Sequence, residues 1–172
     1  MTSRLIASVA ATALLVMIAA TIEATELNGS WKGTLTGIDF SVAAVQIDFS
    51  PQGFPLYSYA NNKGVARQVE LSHVEQTVEY VPPGGGVQRL TVKTLEKAQG
   101  RLSVGIQFSF ERASQGYLQQ KYETALFEYA LVPEGLKMRV TTQSTSHFGD
   151  KDMVVGGNPN AAVVEGILQK LH

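Results

Sequence analysis

The chain has 172 residues, a length that fits a single domain. Hydrophobic residues make up 44% of it and charged residues 17%, which is the composition of a folded globule rather than of a disordered segment. The net charge of −1 gives no broad basic field for nucleic acid or anionic lipid. The absence of cysteine excludes disulfides, thiolate catalysis and cysteine-based zinc sites.

The first 24 residues have the order of a secretory signal. Arg4 supplies a positive charge, residues 5–22 are uncharged and mostly apolar, and Ala24 precedes the cleavage point that we predict. We therefore expect residues 1–24 to be removed, which would leave a periplasmic or secreted protein with no stable membrane span. The alternative is a retained membrane anchor, because the apolar run approaches the ~20 residues that cross a bilayer.

Alternation of apolar and polar residues predicts most of the remaining chain to be β-strand. Side chains of a strand point alternately to its two faces, so alternation indicates one dry face and one wet face. The clearest case is residues 101–112, in which Leu102, Val104, Ile106, Phe108 and Phe110 alternate with polar residues and glycine. The predicted strands are 30–36, 42–49, 56–60, 65–72, 77–81, 87–95, 101–112, 117–132 and 136–143.

The last thirty residues have a different pattern. Residues 144–157 are polar and contain glycine, which predicts a loop. A helix is predicted at 159–171, because Asn158 suits a cap, Pro159 suits the first turn, and an apolar stripe follows at helical spacing. The members of that stripe are Val164, Ile167, Leu168 and Leu171.

The pattern as a whole predicts an all-β domain over residues 25–172. We expect an antiparallel meander of eight or nine strands with one C-terminal helix. A sheet of that size has to curl or split to protect its edges, so we expect a barrel, with a sandwich as the alternative.

Motifs for chemistry are weak. The glycines at 84–86 resemble a phosphate loop only in composition, since a strand rather than a helix follows them. His147, Asp150 and Asp152 cluster in sequence, but one histidine and two aspartates usually serve as turn residues. We therefore expect a protein that is not an enzyme and that holds no cofactor or metal.

The aromatic residues suggest binding. Six of them fall on faces that we expect to point inward, where they would either fill the core or line an apolar cavity; they are the five named below and Phe49. Barrels of about eight strands are able to hold one small ligand. The predicted ligand-binding residues are Trp31, Phe108, Phe110, Phe127 and Tyr129.

The first predicted strand, Gly29-Ser30-Trp31-Lys32-Gly33, resembles the Gly-x-Trp signature near the start of lipocalins and related calycin barrels. The resemblance implies that Trp31 lies at the closed end of a barrel, packed against an arginine from a late strand. Arg139 is a candidate for that arginine, although its alternation points outward. The chain lacks the usual cysteines, a second clear motif and a strand after the predicted helix.

These observations lead to one main hypothesis and two alternatives. The main one is an exported, non-catalytic, lipocalin-like protein that binds a small apolar or amphipathic molecule and no nucleic acid. The first alternative is an envelope protein-interaction module with a filled core, which docks a partner on a strand edge, on Tyr57 and Tyr59, or on the loop at 82–86. The second is a metal-assisted hydrolase that uses the His147 cluster.

Overall fold

The computed structural model describes residues 26–37, 42–114, 117–150, 153–156 and 160–172. The predicted signal at 1–24 lies outside the described residues. Within them, no helix is long and apolar enough to cross a membrane. The eleven strands are β1 (Gly29–Gly37), β2 (Val42–Phe49), β3 (Leu56–Ala60), β4 (Ala66–Glu70), β5 (Thr77–Tyr80), β6 (Val87–Ala98), β7 (Arg101–Ser114), β8 (Tyr117–Val132), β9 (Gly135–Asp150), β10 (Met153–Gly156) and β11 (Asn160–Lys170).

Nine of these strands form one antiparallel sheet. Its order is β2-β1-β11-β9-β8-β7-β6-β5, and β10 pairs with β9. The strands β3 and β4 form a separate hairpin. The predicted all-β, antiparallel class is therefore confirmed. Neighbours in sequence are neighbours in the sheet from β5 to β9, whereas β11 departs from the meander by lying between β9 and β1.

The sheet is strongly curled. Phe49 on β2 and Tyr129 on β8 lie on strands four places apart in the sheet order, which would separate them by about 19 Å in a flat sheet. Their ring centroids are instead 5.2 Å apart. Lys97 on β6 also donates a hydrogen bond to the carbonyl of Gln52, just beyond β2. The two ends of the sheet therefore approach each other across the core.

The β3–β4 hairpin lies between those two ends. Pro55, just before β3, forms a bridge with Phe49 at the end of β2. On the other side, the hydroxyl oxygens of Tyr57 on β3 and Tyr80 on β5 are 3.0 Å apart. Within the described residues no backbone ladder joins β2 to β5, so the pairing of the main sheet is open.

The core occupies one half of the curled sheet. Leu90, Val92, Leu136 and Leu168 are fully buried, and they come from three strands, β6, β9 and β11. The long strands β7, β8 and β9 extend beyond this core, and none of their residues 107–113, 118–124 and 141–147 is buried. We call these three segments the distal half of the sheet.

The predicted C-terminal helix at 159–171 is wrong, because residues Asn160–Lys170 form β11. The apolar stripe splits between the two faces: Leu168 is fully buried and Val164 packs against the core, whereas Ile167 and Leu171 are exposed. The segment pairs with β9 on one side and β1 on the other. As a strand, this segment forms backbone hydrogen bonds with two neighbouring strands. These bonds stabilise the extended conformation, whereas a helix of the same residues would gain little stability from its apolar stripe alone.

The predicted loop at 144–157 is also wrong for most of its length. The strand β9 continues to Asp150, and Met153–Gly156 form β10. The ladder between β8 and β9 runs without interruption from Val132 and Gly135 to Tyr117 and Asp150. Backbone pairing supports the polar residues of this segment, because a strand with solvent on its faces does not need apolar side chains.

Candidate ligand-binding site

The five predicted binding residues lie on the inner face of the sheet, the face that carries the core. Trp31 and Tyr129 are part of the core, at 5% and 3% exposure, and Phe127 and Phe108 pack against it. The rings of Phe127 and Tyr129 are stacked with centroids 6.5 Å apart. Phe110 is partly exposed and lies one step farther along β7 than Phe108. The five therefore share one face of the sheet, which runs from the core into the distal half.

Trp31 lies at the filled end of this face, within the core. Its indole Nε1 donates a hydrogen bond to the carbonyl oxygen of Leu27 at 3.0 Å. The Nζ atom of Lys170 on β11 lies 5.5 Å from the centre of the ring, which is a cation–π distance. Arg139 does not take this place, because its guanidinium lies 4.0 Å from Glu128 on the outer face. The cation beside the tryptophan therefore comes from the strand that was predicted as a helix.

In the distal half, the inner face changes from aromatic to polar across three strands. Phe108 pairs with Glu123, and Phe110 pairs with Lys121, so all four side chains share this face. Lys121 and Glu123 form an ion pair at 2.9 Å, with 42% and 29% of their side chains exposed. The next partners along these two rows, on β9, are Ser144 and Ser146. We call this surface the distal inner face.

Three tyrosines continue the aromatic side of the distal inner face. Tyr80 lies opposite Gln88, and Gln88 lies opposite Phe110, so one row connects β5 to β7. The Tyr80 ring is 4.4 Å from that of Tyr59, which stacks on Tyr57 at 5.9 Å. The sequence prediction named Tyr57 and Tyr59 only as an alternative protein-docking surface. Their contact with Tyr80 was missed because it depends on how the hairpin docks.

The ion pair was also missed, although the alternation of β8 carried a signal for it. Residues 121 and 123 are odd-numbered like Phe127 and Tyr129, so the alternation of β8 already placed them on the inner face.

Gly86 lies against the aromatic side of the distal inner face. It has a φ of +83°, and an added Cβ would lie 2.7 Å from the Phe110 ring. The loop at 82–86 therefore borders the distal inner face.

Two tyrosines resist ionisation. Burial raises the pKa of Tyr129, and burial together with the hydrogen bond to Tyr80 raises the pKa of Tyr57. In the unfolded chain both ionise near the ordinary value of 10.0. The folded state holds these protons more tightly than the unfolded chain does. The contribution of the two hydroxyl groups to the free energy of unfolding is therefore complete below pH 10 and decreases as the pH rises above 10.

This difference predicts the effect of a single substitution. We expect the free energy of unfolding of the wild type to fall more steeply between pH 9 and pH 11 than that of Tyr129→Phe, which has no proton to lose at this position. Urea unfolding at several pH values measures the two slopes, with Tyr122→Phe at an exposed position as the control. Equal slopes for wild type and Tyr129→Phe would contradict the burial of this hydroxyl.

The metal site of the second alternative, at His147, Asp150 and Asp152, receives no support from the described residues. His147 lies on β9 opposite Gln120, with its ring 6.1 Å from that of Tyr122. Asp152 and the side chain of Asp150 lie outside the described part of the structure. No group of three or more histidine, aspartate or glutamate residues able to hold a metal occurs among the residues that are described.

The chain matches no protein-family model, no curated protein and no solved structure. The lipocalin-like resemblance of residues 29–33 therefore stays a prediction. A function has to be argued from the geometry of the inner face.

Proposed function

We propose that this is an exported, non-catalytic binding protein whose curled sheet acts as a lipocalin-like barrel and holds one small amphipathic molecule. The ligand lies on the distal inner face. The observation that carries the proposal is the division of this face into an aromatic side on β7 and a charged and hydroxyl-bearing side on β8 and β9.

The filled core determines which predicted residues would touch the ligand. Leu90 and Val92 have no exposed surface, so the core half offers no free volume beside them. Phe108 and Phe110 would therefore make the direct contacts. Phe127 and Tyr129 would form the floor on which the ligand rests, and Trp31 would close the far end through its packing.

The two sides of the surface explain why an amphipathic molecule fits better than a purely apolar one. Burial of ~200 Å² of apolar ligand surface on the aromatic side would contribute on the order of 5 kcal/mol before association costs. The polar part of the ligand would lie over Lys121, Glu123 and the β9 serines. Since the ammonium and the carboxylate neutralise each other at 2.9 Å, a neutral or zwitterionic polar group fits this side.

A fluorescent probe tests the proposal directly. We expect N-phenyl-1-naphthylamine to bind the wild type and to be displaced by lysophosphatidylcholine. Phe110→Ala should raise the dissociation constant of the probe by roughly ten- to a hundredfold, because an aromatic contact contributes about 1.5–3 kcal/mol and 1.4 kcal/mol is a factor of ten. The measurement is the fluorescence titration of each variant.

Tyr122→Ala is the matched control, since Tyr122 is an exposed aromatic residue on the outer face of the same strands. It should leave the titration unchanged. No binding by the wild type, or equal weakening by the two substitutions, would count against a ligand on the distal inner face.

A second candidate function is the protein-interaction module. It is favoured by β2, which ends the main sheet and exposes Val42 at 69% together with Ala43 and Ala44. An apolar edge strand is able to accept a further strand from a partner. A stoichiometric partner recovered from an envelope extract, lost in Val42→Lys but retained in Phe110→Ala, would establish this function instead.

A further inference from the structure

A groove of about 550 Å³ crosses the outer face of the sheet where β6, β7, β8 and β9 run side by side. It lies on the face opposite to the proposed ligand and beside the core half rather than the distal half. Its lining includes two alanines, Ala98 and Ala130, and the basic residues Arg101, Lys137 and Arg139. The volume falls within the range of about 300–1,000 Å³ that is typical of small-molecule sites.

The pairing register places two cations on either side of a small residue. Arg101 lies opposite Ala130 on β8, and Ala130 lies opposite Lys137 on β9. The two basic residues are thus separated by two strand spacings, about 10 Å between backbones. Because Ala130 has only a methyl group, the space above it stays open to both long side chains.

The groove is lined by four basic and two acidic residues, and the acidic ones are Glu96 on β6 and Glu128 on β8. Arg139 is 4.0 Å from Glu128, and both side chains are about half exposed. No ion pair involves Arg101 or Lys137 within the described part of the chain. The protein as a whole has a net charge of −1, so this positive region contrasts with the rest of the molecule. A bound anion would relieve the repulsion between the two cations.

We propose that this groove binds a small anionic molecule through a phosphate or carboxylate group that lies over Ala130 and bridges Arg101 and Lys137. A guanidinium binds such a group through two parallel hydrogen bonds, and an ammonium adds a point charge from the other side. The anion is either a free solute or the headgroup of an anionic lipid. This site is independent of the ligand on the distal inner face.

Calorimetric titration with inorganic pyrophosphate at low ionic strength tests the charges. The double variant Arg101→Gln/Lys137→Gln should raise the dissociation constant at least tenfold, because both partners of the anion are lost. The control Lys32→Gln/Arg67→Gln removes the same charge from other strands and should change it less than twofold. Equal weakening by both double variants would overturn the proposal, since it would show only the effect of net charge.

Ala130→Leu tests the shape of the site without changing any charge. It should weaken binding by a similar factor because the longer side chain fills the space between the cations, and unchanged binding would overturn the proposal. Cosedimentation with phosphatidylglycerol vesicles, compared with phosphatidylcholine vesicles, distinguishes the two sources of the anion. A lipid headgroup is identified if the protein binds phosphatidylglycerol vesicles but not phosphatidylcholine vesicles, and if Arg101→Gln/Lys137→Gln and Ala130→Leu abolish this binding. If the wild type binds neither pyrophosphate nor phosphatidylglycerol vesicles, the proposal is overturned.

Discussion

Replacement of Leu168 by alanine should lower the free energy of unfolding by about 2–5 kcal/mol, whereas replacement of its neighbour Ile167 should lower it by about 0.5 kcal/mol or less. Leu168 has no exposed surface and belongs to the core, while Ile167 is 43% exposed on the outer face. Removal of the leucine side chain loses its burial and leaves a cavity. Urea unfolding followed by the fluorescence of the buried Trp31 measures both changes.

The comparison also tests the strand itself. In a helix over 159–171, Ile167 and Leu168 would share the apolar stripe with Val164, so both substitutions would cost similar amounts. In β11, successive side chains point to opposite faces, so only one of them is costly. Similar destabilisation by the two alanine variants would contradict β11, and a large difference with the opposite sign would contradict its register.

Replacement of Gly166 by alanine should destabilise the protein by about 1–3 kcal/mol. An added Cβ would collide with the backbone carbonyl oxygen of Thr34 on β1, so the two strands would have to move apart. In a helix the same substitution would instead stabilise the chain by roughly 1 kcal/mol, because alanine is the better helix former. The sign of the change, measured by urea unfolding, therefore distinguishes the two conformations.

Gly84→Ala is the control for this experiment. An added Cβ at Gly84 meets nothing within 4 Å, and this residue is not among the glycines with positive φ. We expect its effect to be small, with a slight stabilisation from the lower entropy of the unfolded chain. Two results would contradict this explanation: a gain in stability for Gly166→Ala, or a loss for Gly84→Ala as large as that for Gly166→Ala. Either would show that the close approach of β1 and β11 is not the reason for glycine at position 166.

Strands with a regular alternation were predicted well. The bounds of β2 and β3 are those expected from sequence, and the strongest pattern, residues 101–112, lies within β7. These segments are bounded by turn residues and have one dry and one wet face. The information that specifies them is therefore local, and it is present in the order of the side chains.

The residues of the proposed site were predicted only in part. Alternation placed Phe108, Phe110 and Phe127 on the inner face, where pairing places them too. It did not identify Lys170 as the cation beside Trp31, nor the contact of Tyr59 with Tyr80. Both contacts join segments that are distant in the chain, and they depend on strand order and on the docking of a hairpin.

The sequence by itself determined the β class, the turns between the regularly alternating strands and the side of those strands that faces the core, because those features follow from local alternation and from glycine and proline. Only the tertiary structure decided the conformation of residues 160–170 and the curling of the sheet that brings Phe49 and Tyr129 into contact. In that last segment Val164 and Leu168 fit an extended period as well as a helical one, whereas Ile167 and Leu171 fit only the helical one. The choice between them came from the two strand edges, on β1 and β9, that were free to receive it.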